Sequence, residues 1–307
     1  MKCSINKESV TDEEVRKKML AHPGIVHRGH GGGLHNKMEY TTLKSVPIPQ
    51  PTPYQDVNIF LNLLLSNIQS ILGDHFIGLY LGGSLALGDF NPHRSDIDFV
   101  AVTVDELSPE MIAGLQAMHT SLWATGIKWA RRLDGSYVSQ QLFRHWTADH
   151  EACPFVEGDT FTVTTQGSAV IQRHIIYQYG VAVAGPSPRR LLDPVDLDEL
   201  RRALQDMLEI GWRPLLDDPA WVRQSQMQPF AILTICRTLY TLEHGVVASK
   251  PVAARWCQQA IGQQWTELIE WALDWPHDTE SSHLAARTTR HDNQIRAIPA
   301  RCDRMVR

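Results

Sequence analysis

Cysteine is scarce and unpatterned in this sequence. There are five in 307 residues, Cys3, Cys153, Cys236, Cys257 and Cys302, with no Cys-x-x-Cys pair. An odd, scattered set excludes a disulfide framework and a zinc finger, and it points to a reducing cytoplasm. Long apolar runs are missing too. The richest stretch, Ile59-Phe60-Leu61 and Leu63-Leu64-Leu65, is interrupted by Asn62, far short of the ~20 residues of a membrane helix. The N-terminus shows no basic-then-apolar pattern, so no secretory leader is read. Nor is there a long basic run: 29 Lys and Arg against 34 Asp and Glu leave a net charge of −5, which excludes extended nucleic-acid binding. A small, cationic substrate remains open, and a cytoplasmic monomer is expected. Its 307 residues are enough for two domains.

Residues 1–53 stand apart as a flexible N-terminal tail. The stretch His27-Arg28-Gly29-His30-Gly31-Gly32-Gly33-Leu34-His35 is too glycine-rich for a regular element, and Pro47-Ile48-Pro49-Gln50-Pro51-Thr52-Pro53 is a polyproline-type spacer. Met38 offers an alternative start, with residues 1–37 a tail; the charged stretch Lys2 to Lys18 allows a short helix there. Residues 54–194 alternate in pattern. Val57, Phe60, Leu61, Leu64, Leu65, Ile68 and Leu72 recur at helical spacing up to Gly73. Strands are predicted at Phe76 to Leu81, Ile97 to Thr103, Asp134 to Ser139 and Thr160 to Thr164, with a helix capped by Ser108 running to about Trp123. After Pro194 strand patterns cease. Asp196 with Glu199 resembles a capping box, and helices are expected near 197–208, 229–243, 251–261, 264–274 and 282–297. The fold class is therefore an α+β domain over 54–194, a mixed sheet with helices, followed by an all-α bundle over 195–307.

The chemistry concentrates in Leu79-Tyr80-Leu81-Gly82-Gly83-Ser84, then, after a short loop, Ser95-Asp96-Ile97-Asp98-Phe99-Val100. A strand delivers Gly83 and Ser84 at its end, where backbone N–H groups and a hydroxyl can meet phosphate oxygens. Asp96 and Asp98, two apart, fall on one face of the next strand. Two like charges so placed repel unless a cation lies between them, and hard oxygen ligands beside a triphosphate suit Mg²⁺. This ordered motif resembles the signature of the DNA polymerase β-like nucleotidyltransferase superfamily. The resemblance implies a third acidic residue on a neighbouring strand, and Asp134 in Arg131-Arg132-Leu133-Asp134-Gly135 stands in that place.

Two cations further along fit the same chemistry. Arg237 is the one charged residue in the helix from Pro229 to Leu242, and an arginine in so apolar a setting needs a partner or a cavity. Lys250, at a helix start after Ser249, opposes the helix dipole unless an anion binds there. The run Leu233 to Trp256, with Arg237, Tyr240, Gly245 and Ser249-Lys250, is similar to the C-terminal domain of aminoglycoside adenylyltransferases of the streptomycin/spectinomycin type. Gly180 to Pro186 fits that family's domain junction. The resemblance implies transfer of AMP from ATP to a small-molecule hydroxyl. It implies two Mg²⁺ ions on Asp96 and Asp98, Asp134 as base or further ligand, Gly83 and Ser84 around the β/γ-phosphates, and Arg237 and Lys250 on the triphosphate.

The chain departs from that family in two respects. The third carboxylate, usually glutamate, is Asp134, one methylene shorter. The positions holding acceptor carboxylates in streptomycin-modifying members carry Arg223 and Met227, which implies poor use of a guanidinium-bearing acceptor. Asp217, Asp218, Glu151, Glu157 and Asp159 are available to build an acidic pocket by another route, so an aminoglycoside-like acceptor stays the leading class. Two other classes compete. Gly82-Gly83-Ser84-Leu85-Ala86 is nearly a nucleophile elbow and His30-Gly31-Gly32-Gly33 resembles an oxyanion loop, as in an α/β-hydrolase serine esterase. Ala86 in place of the second glycine, with Gly88 and Pro92 following, argues against it. A non-catalytic nucleotide sensor would not need all three carboxylates. The triad His27, His30 and His35 sits in too flexible a segment to favour a metal site.

Overall fold

The computed structural model describes residues 50–146, 151–165, 169–218 and 227–275. The tail through residue 49, the stretch around Arg223 and the expected helix at 282–297 lie outside them. Helix α1 (Gln55–Leu72) ends at Gly73, whose positive φ closes the last turn. Of its periodic apolar residues all but Leu65 are buried, which is the tertiary reason this segment is helical. Next come β1 (Phe76–Leu81), the four-residue α2 (Gly83–Ala86), β2 (Ile97–Thr103), α3 (Pro109–Ala124), β3 (Leu133–Ser139) and α4 (Gln140–Arg144). The Ser108 hydroxyl accepts from the Met111 N–H to cap α3, as expected. The sheet-bearing part finishes with β4 (Cys153–Glu157), β5 (Thr160–Thr164), α5 (Ala169–Tyr179) and β6 (Val181–Ala184).

The six strands form one mixed sheet in the order β5-β4-β3-β2-β1-β6. Only the central pair, β2 with β3, is parallel; the other neighbours run antiparallel. One face packs on α1 and α3 through Leu79, Leu81, Phe99, Ala101, Leu133 and Tyr137. The other packs on α4, through its Phe143, and on α5 by Tyr80, Val100, Val102 and Val138. Strands β4 and β6 are not among those expected from sequence. Both are short, five and four residues, and β6 falls within the Gly180 to Pro186 stretch assigned to a junction. It forms because the β1 edge is open to pair with it.

Beyond Pro194 only helices follow among the described residues: α6 (Leu197–Asp206), a wider turn over Met207–Trp212, α7 (Arg213–Asp217), α8 (Met227–His244), α9 (Lys250–Ala260) and α10 (Thr266–Leu273). Helices α8, α9 and α10 share a core of Ala231, Ile235, Leu239, Ala254, Cys257 and Leu268. None of the described helices is long and apolar enough to cross a membrane. A separate cluster, Val170, Ile171 and Ile175 with Leu200, Leu204 and Val247, joins α5 to the helical part.

The anticipated capping box is half formed. The Asp196 carboxylate accepts from the Glu199 N–H at 2.7 Å, but the Glu199 side chain does not turn back. It is taken by Arg173 of α5, whose Nη2 lies 2.5 and 2.6 Å from its two oxygens. The Arg173 side chain is only 4% exposed. Removing the carboxylate with Glu199→Ala strands a buried guanidinium, at a cost of about 3–5 kcal/mol. Thermal melting is expected to drop by several degrees, and an unchanged midpoint would show that water reaches Arg173.

Candidate active site

Strand β1 ends at Leu81, and the chain turns at once into α2. Gly83 adopts φ +47°, and a Cβ placed there would collide with the Asp98 carboxylate, so glycine is required both by backbone and by space. The Gly82 N–H donates to the Asp98 carbonyl at 3.0 Å, and the Ser84 N–H donates to the Asp98 carboxylate. The Ser84 hydroxyl oxygen is buried without a hydrogen-bond partner. No described residue hydrogen-bonds it as an activating base would, and α2 lasts four residues, not the long helix of an elbow. Both observations count against the serine-esterase reading. An orphaned hydroxyl beside a glycine cradle suits a polar ligand instead.

The parallel register sets Asp134 of β3 directly beside Asp98 of β2, with both side chains on the sheet face that carries α5. Gly135 follows because the Phe99 ring lies across that position and leaves no room for a Cβ. Asp96 sits one residue before β2 and is exposed; its Oδ1 lies 3.5 Å from Arg132 Nε. Arg132 also donates to the Pro92 carbonyl at 3.0 Å and lies over the Trp129 ring, so it anchors both ends of the loop before the Asp-x-Asp pair. On the far side of Asp134, Glu157 of β4 is its cross-strand partner.

The helical part supplies the opposite charge. Arg237 of α8 and Lys250, first residue of α9, both lie close enough to Asp98 to interact electrostatically. The Lys250 ammonium rests 4.0 Å above the Phe230 ring. The Ser249 hydroxyl caps α9 by accepting from Val252 N–H, which fixes where Lys250 emerges. On the sheet side, Arg94 Nη1 reaches the Leu273 carbonyl at the end of α10, 2.5 Å away. All the predicted site residues, Gly83, Ser84, Asp96, Asp98, Asp134, Arg237 and Lys250, are thus brought to one crevice. Asp98, Asp134, Arg237 and Lys250 each keep some solvent-accessible surface while being crowded by protein, as crevice walls are.

Like charges are held together here against their mutual repulsion. Burial, then the neighbouring Asp96, pushes the Asp98 carboxyl up to about 6, against the pull of Lys250 and Arg237. Asp134 is pushed up to about 8, first by burial, then by Asp98, Glu157 and Asp96. Lys250 is drawn down to about 8 by burial and by Arg237, with the three aspartates pulling back. Burial likewise lowers Arg237. No three His, Cys, Asp or Glu side chains among the described residues converge to hold an ion unaided. Mg²⁺ does not ask for that, since it is commonly held by one or two carboxylates plus phosphate oxygens and water. Asp98 with Asp96, beside the turn at Gly83 and Ser84, matches that donor set.

Burial of Asp134 among acids makes stability depend on pH. Its carboxyl binds a proton more tightly folded than unfolded, so the folded state holds more protons between about pH 4 and 8, and stability falls as pH rises through that window. Asp134→Asn removes this penalty. Without metal or nucleotide, the variant's melting temperature should gain on the wild type progressively from pH 5 to pH 8. A constant difference would show that Asp134 is not buried among like charges.

Sequence patterns do not announce three of these contacts: Arg132 with Asp96, Phe230 under Lys250, and Glu157 beside Asp134. The first is accessible in principle, because pairing Asp98 with Asp134 in parallel brings residues 96 and 132 together.

Comparison with known proteins points the same way. The family described as "Aminoglycoside adenylyltransferase, C-terminal domain" matches residues 190–298. An aminoglycoside (3'') (9) adenylyltransferase of Escherichia coli is 23% identical over 263 residues, 82% of this chain and 97% of its own. Its counterpart in Shigella flexneri is 24% identical over 226 residues, 70% of this chain and 83% of its own. In structure, the chain resembles the spectinomycin adenyltransferase AAD(9) from Enterococcus faecialis, solved with ATP and spectinomycin. The TM-score is 0.58 and the identity 18%, covering 76% of this chain and 97% of that one; this likeness establishes the fold. Over residues 190–298, then, the chain is similar to the C-terminal domain of aminoglycoside adenylyltransferases, and its fold is that of the spectinomycin adenyltransferase.

Proposed function

We propose that this protein transfers AMP from ATP to a hydroxyl of a small, amine-bearing acceptor of the aminoglycoside kind. The observation that carries the reading is the meeting, in one crevice, of carboxylates from β2 and β3 with cations from α8 and α9, more than a hundred residues away in sequence. A triphosphate needs cations and backbone donors on one side, and its activation needs carboxylates on the other. A binding-only sensor needs the first set alone. The similarity to adenylyltransferases supports ATP as donor.

In this reading the Ser84 hydroxyl and the turn at Gly83 hold the terminal phosphates. Arg237 and Lys250 neutralise charge that builds on the departing pyrophosphate, and Asp134 takes the proton of the attacking hydroxyl. Asp96 and Asp98 would hold two Mg²⁺ ions, which when bound supply Lewis-acid charge stabilisation to the phosphoryl oxygens. Arg132 keeps Asp96 turned toward the crevice. Cys153 and Cys257, which form no disulfide among the described residues, support a reducing compartment.

Met227 opens α8 without a charge, and Arg223 brings a positive one to the segment before it. Streptomycin, with its guanidinium groups, is therefore expected to be a poor acceptor. Incubation with Mg²⁺ and ATP against a panel of amino sugars, followed by mass spectrometry, tests the whole reading. An AMP mass increment on one or more of them is expected, and its absence across the panel rejects the acceptor class.

A further inference from the structure

We propose that Glu157 selects the acceptor by gripping an ammonium group next to the hydroxyl being adenylylated. This rests on the function proposed above and adds which wall of the crevice the acceptor occupies and what chemistry that wall demands.

The sheet orders the groups in space. Gly83 and Ser84 lie at the end of β1, Asp98 on β2, Asp134 on β3 and Glu157 on β4, and these strands are consecutive neighbours. Asp98 pairs with Asp134 and Asp134 with Glu157, so the three carboxylates stand on one face in a row across the strands, about 5 Å from one to the next. Ser84 marks the β1 end of the row, Arg237 lies by Asp98, and Lys250 reaches Asp98 and Asp134; pyrophosphate leaves toward Ser84 and these cations. Phosphoryl transfer keeps the attacking and leaving oxygens roughly in line, so the acceptor hydroxyl enters from the β4 end and lies over Asp134. The next side chain it meets is Glu157.

Its surroundings leave Glu157 open to a ligand. It is exposed, and no ion pair among the described residues engages it. The acids near it are taken: Asp159 by Arg131 at 2.6 Å, and Asp96 by Arg132 at 3.5 Å. Of the five acidic residues from which the sequence allowed a pocket to be built, Glu157 is the one paired with Asp134. The opposite wall is unsuitable for a cation, since it presents Lys250 over Phe230, with Arg237. A positive group on the acceptor is therefore repelled from the donor side and attracted to β4. The row spacing then sets the acceptor class: a hydroxyl with an ammonium within about 5 Å, the reach of a 1,2- or 1,3-amino alcohol on a sugar or cyclitol ring.

The test compares wild type, Glu157→Gln and Glu157→Asp with spectinomycin, streptomycin and kanamycin as probes, each also in N-acetylated form. With an acceptor that the wild type modifies, Glu157→Gln should raise the acceptor KM about 10–100-fold. The KM for ATP and the melting temperature should stay near wild type, with Glu157→Asp in between. Acetylating the amine should make wild type and Glu157→Gln equivalent. An acceptor KM within twofold of wild type in Glu157→Gln, or the same loss on the acetylated acceptor, overturns the assignment while leaving the proposed function standing. A wild type that modifies none of the probes overturns the proposed function and this assignment with it.

Discussion

Asp98→Asn is expected to lower kcat/KM by about a thousandfold or more, equivalent to roughly 4 kcal/mol of transition-state stabilisation. The side chain is held from three directions, by the Ser84 N–H, by the bare Cα of Gly83 and by the charges of Arg237 and Lys250. Asparagine keeps the shape but removes the negative charge that balances those two cations and binds a divalent ion. The fold should survive, because a carboxyl pushed up to about 6 by burial is being replaced by a neutral group. Circular dichroism and melting would then be near or above wild type while turnover collapses. Asp96→Asn should be damaging as well, with a smaller loss, since Asp96 is exposed and shares its charge with Arg132. Near-wild-type turnover in Asp98→Asn would remove the assignment of this crevice as the active site.

Asp134→Ala is expected to lower kcat by about 10²–10⁴ with little change in the KM for ATP. Its carboxyl, pushed up to about 8 in the protein alone, sits near the working pH, as a proton acceptor should. Positive charge arriving beside Asp98 lowers that value and frees the carboxylate to accept the proton. Asp134→Glu separates this role from a spacing role. Glutamate reaches one methylene further, and Gly135 next door leaves the backbone otherwise unchanged, so this variant should retain much of the activity that alanine loses. A parallel rise in the KM for ATP in Asp134→Ala would instead make the residue a metal ligand, and an unchanged kcat would return it to a structural role.

Much of this organisation is legible in local patterns of the chain. Helix α1 is visible because a periodic apolar stripe reports its own burial, and α3 and α9 because Ser108 and Ser249 cap them through bonds spanning three residues. The Gly-Ser and Asp-x-Asp halves of the site are visible because a turn and a strand place them within fifteen residues of each other. Short strands are the blind spot. Strands β4 and β6 exist because β3 and β1 offer unpaired backbone groups to them, and for β6 that neighbour is about a hundred residues away in sequence. The same is true of Glu199, whose local signal as a capping-box residue is overruled by a buried arginine that has to be paired.

Spacing and composition were enough to specify an α+β part and a helical part. They singled out Asp96 and Asp98 by their spacing and Arg237 and Lys250 as charges out of keeping with their surroundings, while Asp134 and the nucleotidyltransferase reading rest on resemblance to a known family. Which groups share a field is a tertiary matter. The parallel register of β2 with β3 put Asp134 against Asp98, the antiparallel register of β4 put Glu157 against Asp134, and the packing of α8 and α9 brought Arg237 to Asp98 and Lys250 to both aspartates. Register and packing are pairings between distant segments, set by which buried surfaces and backbone donors fit together, and no single stretch of chain carries that information.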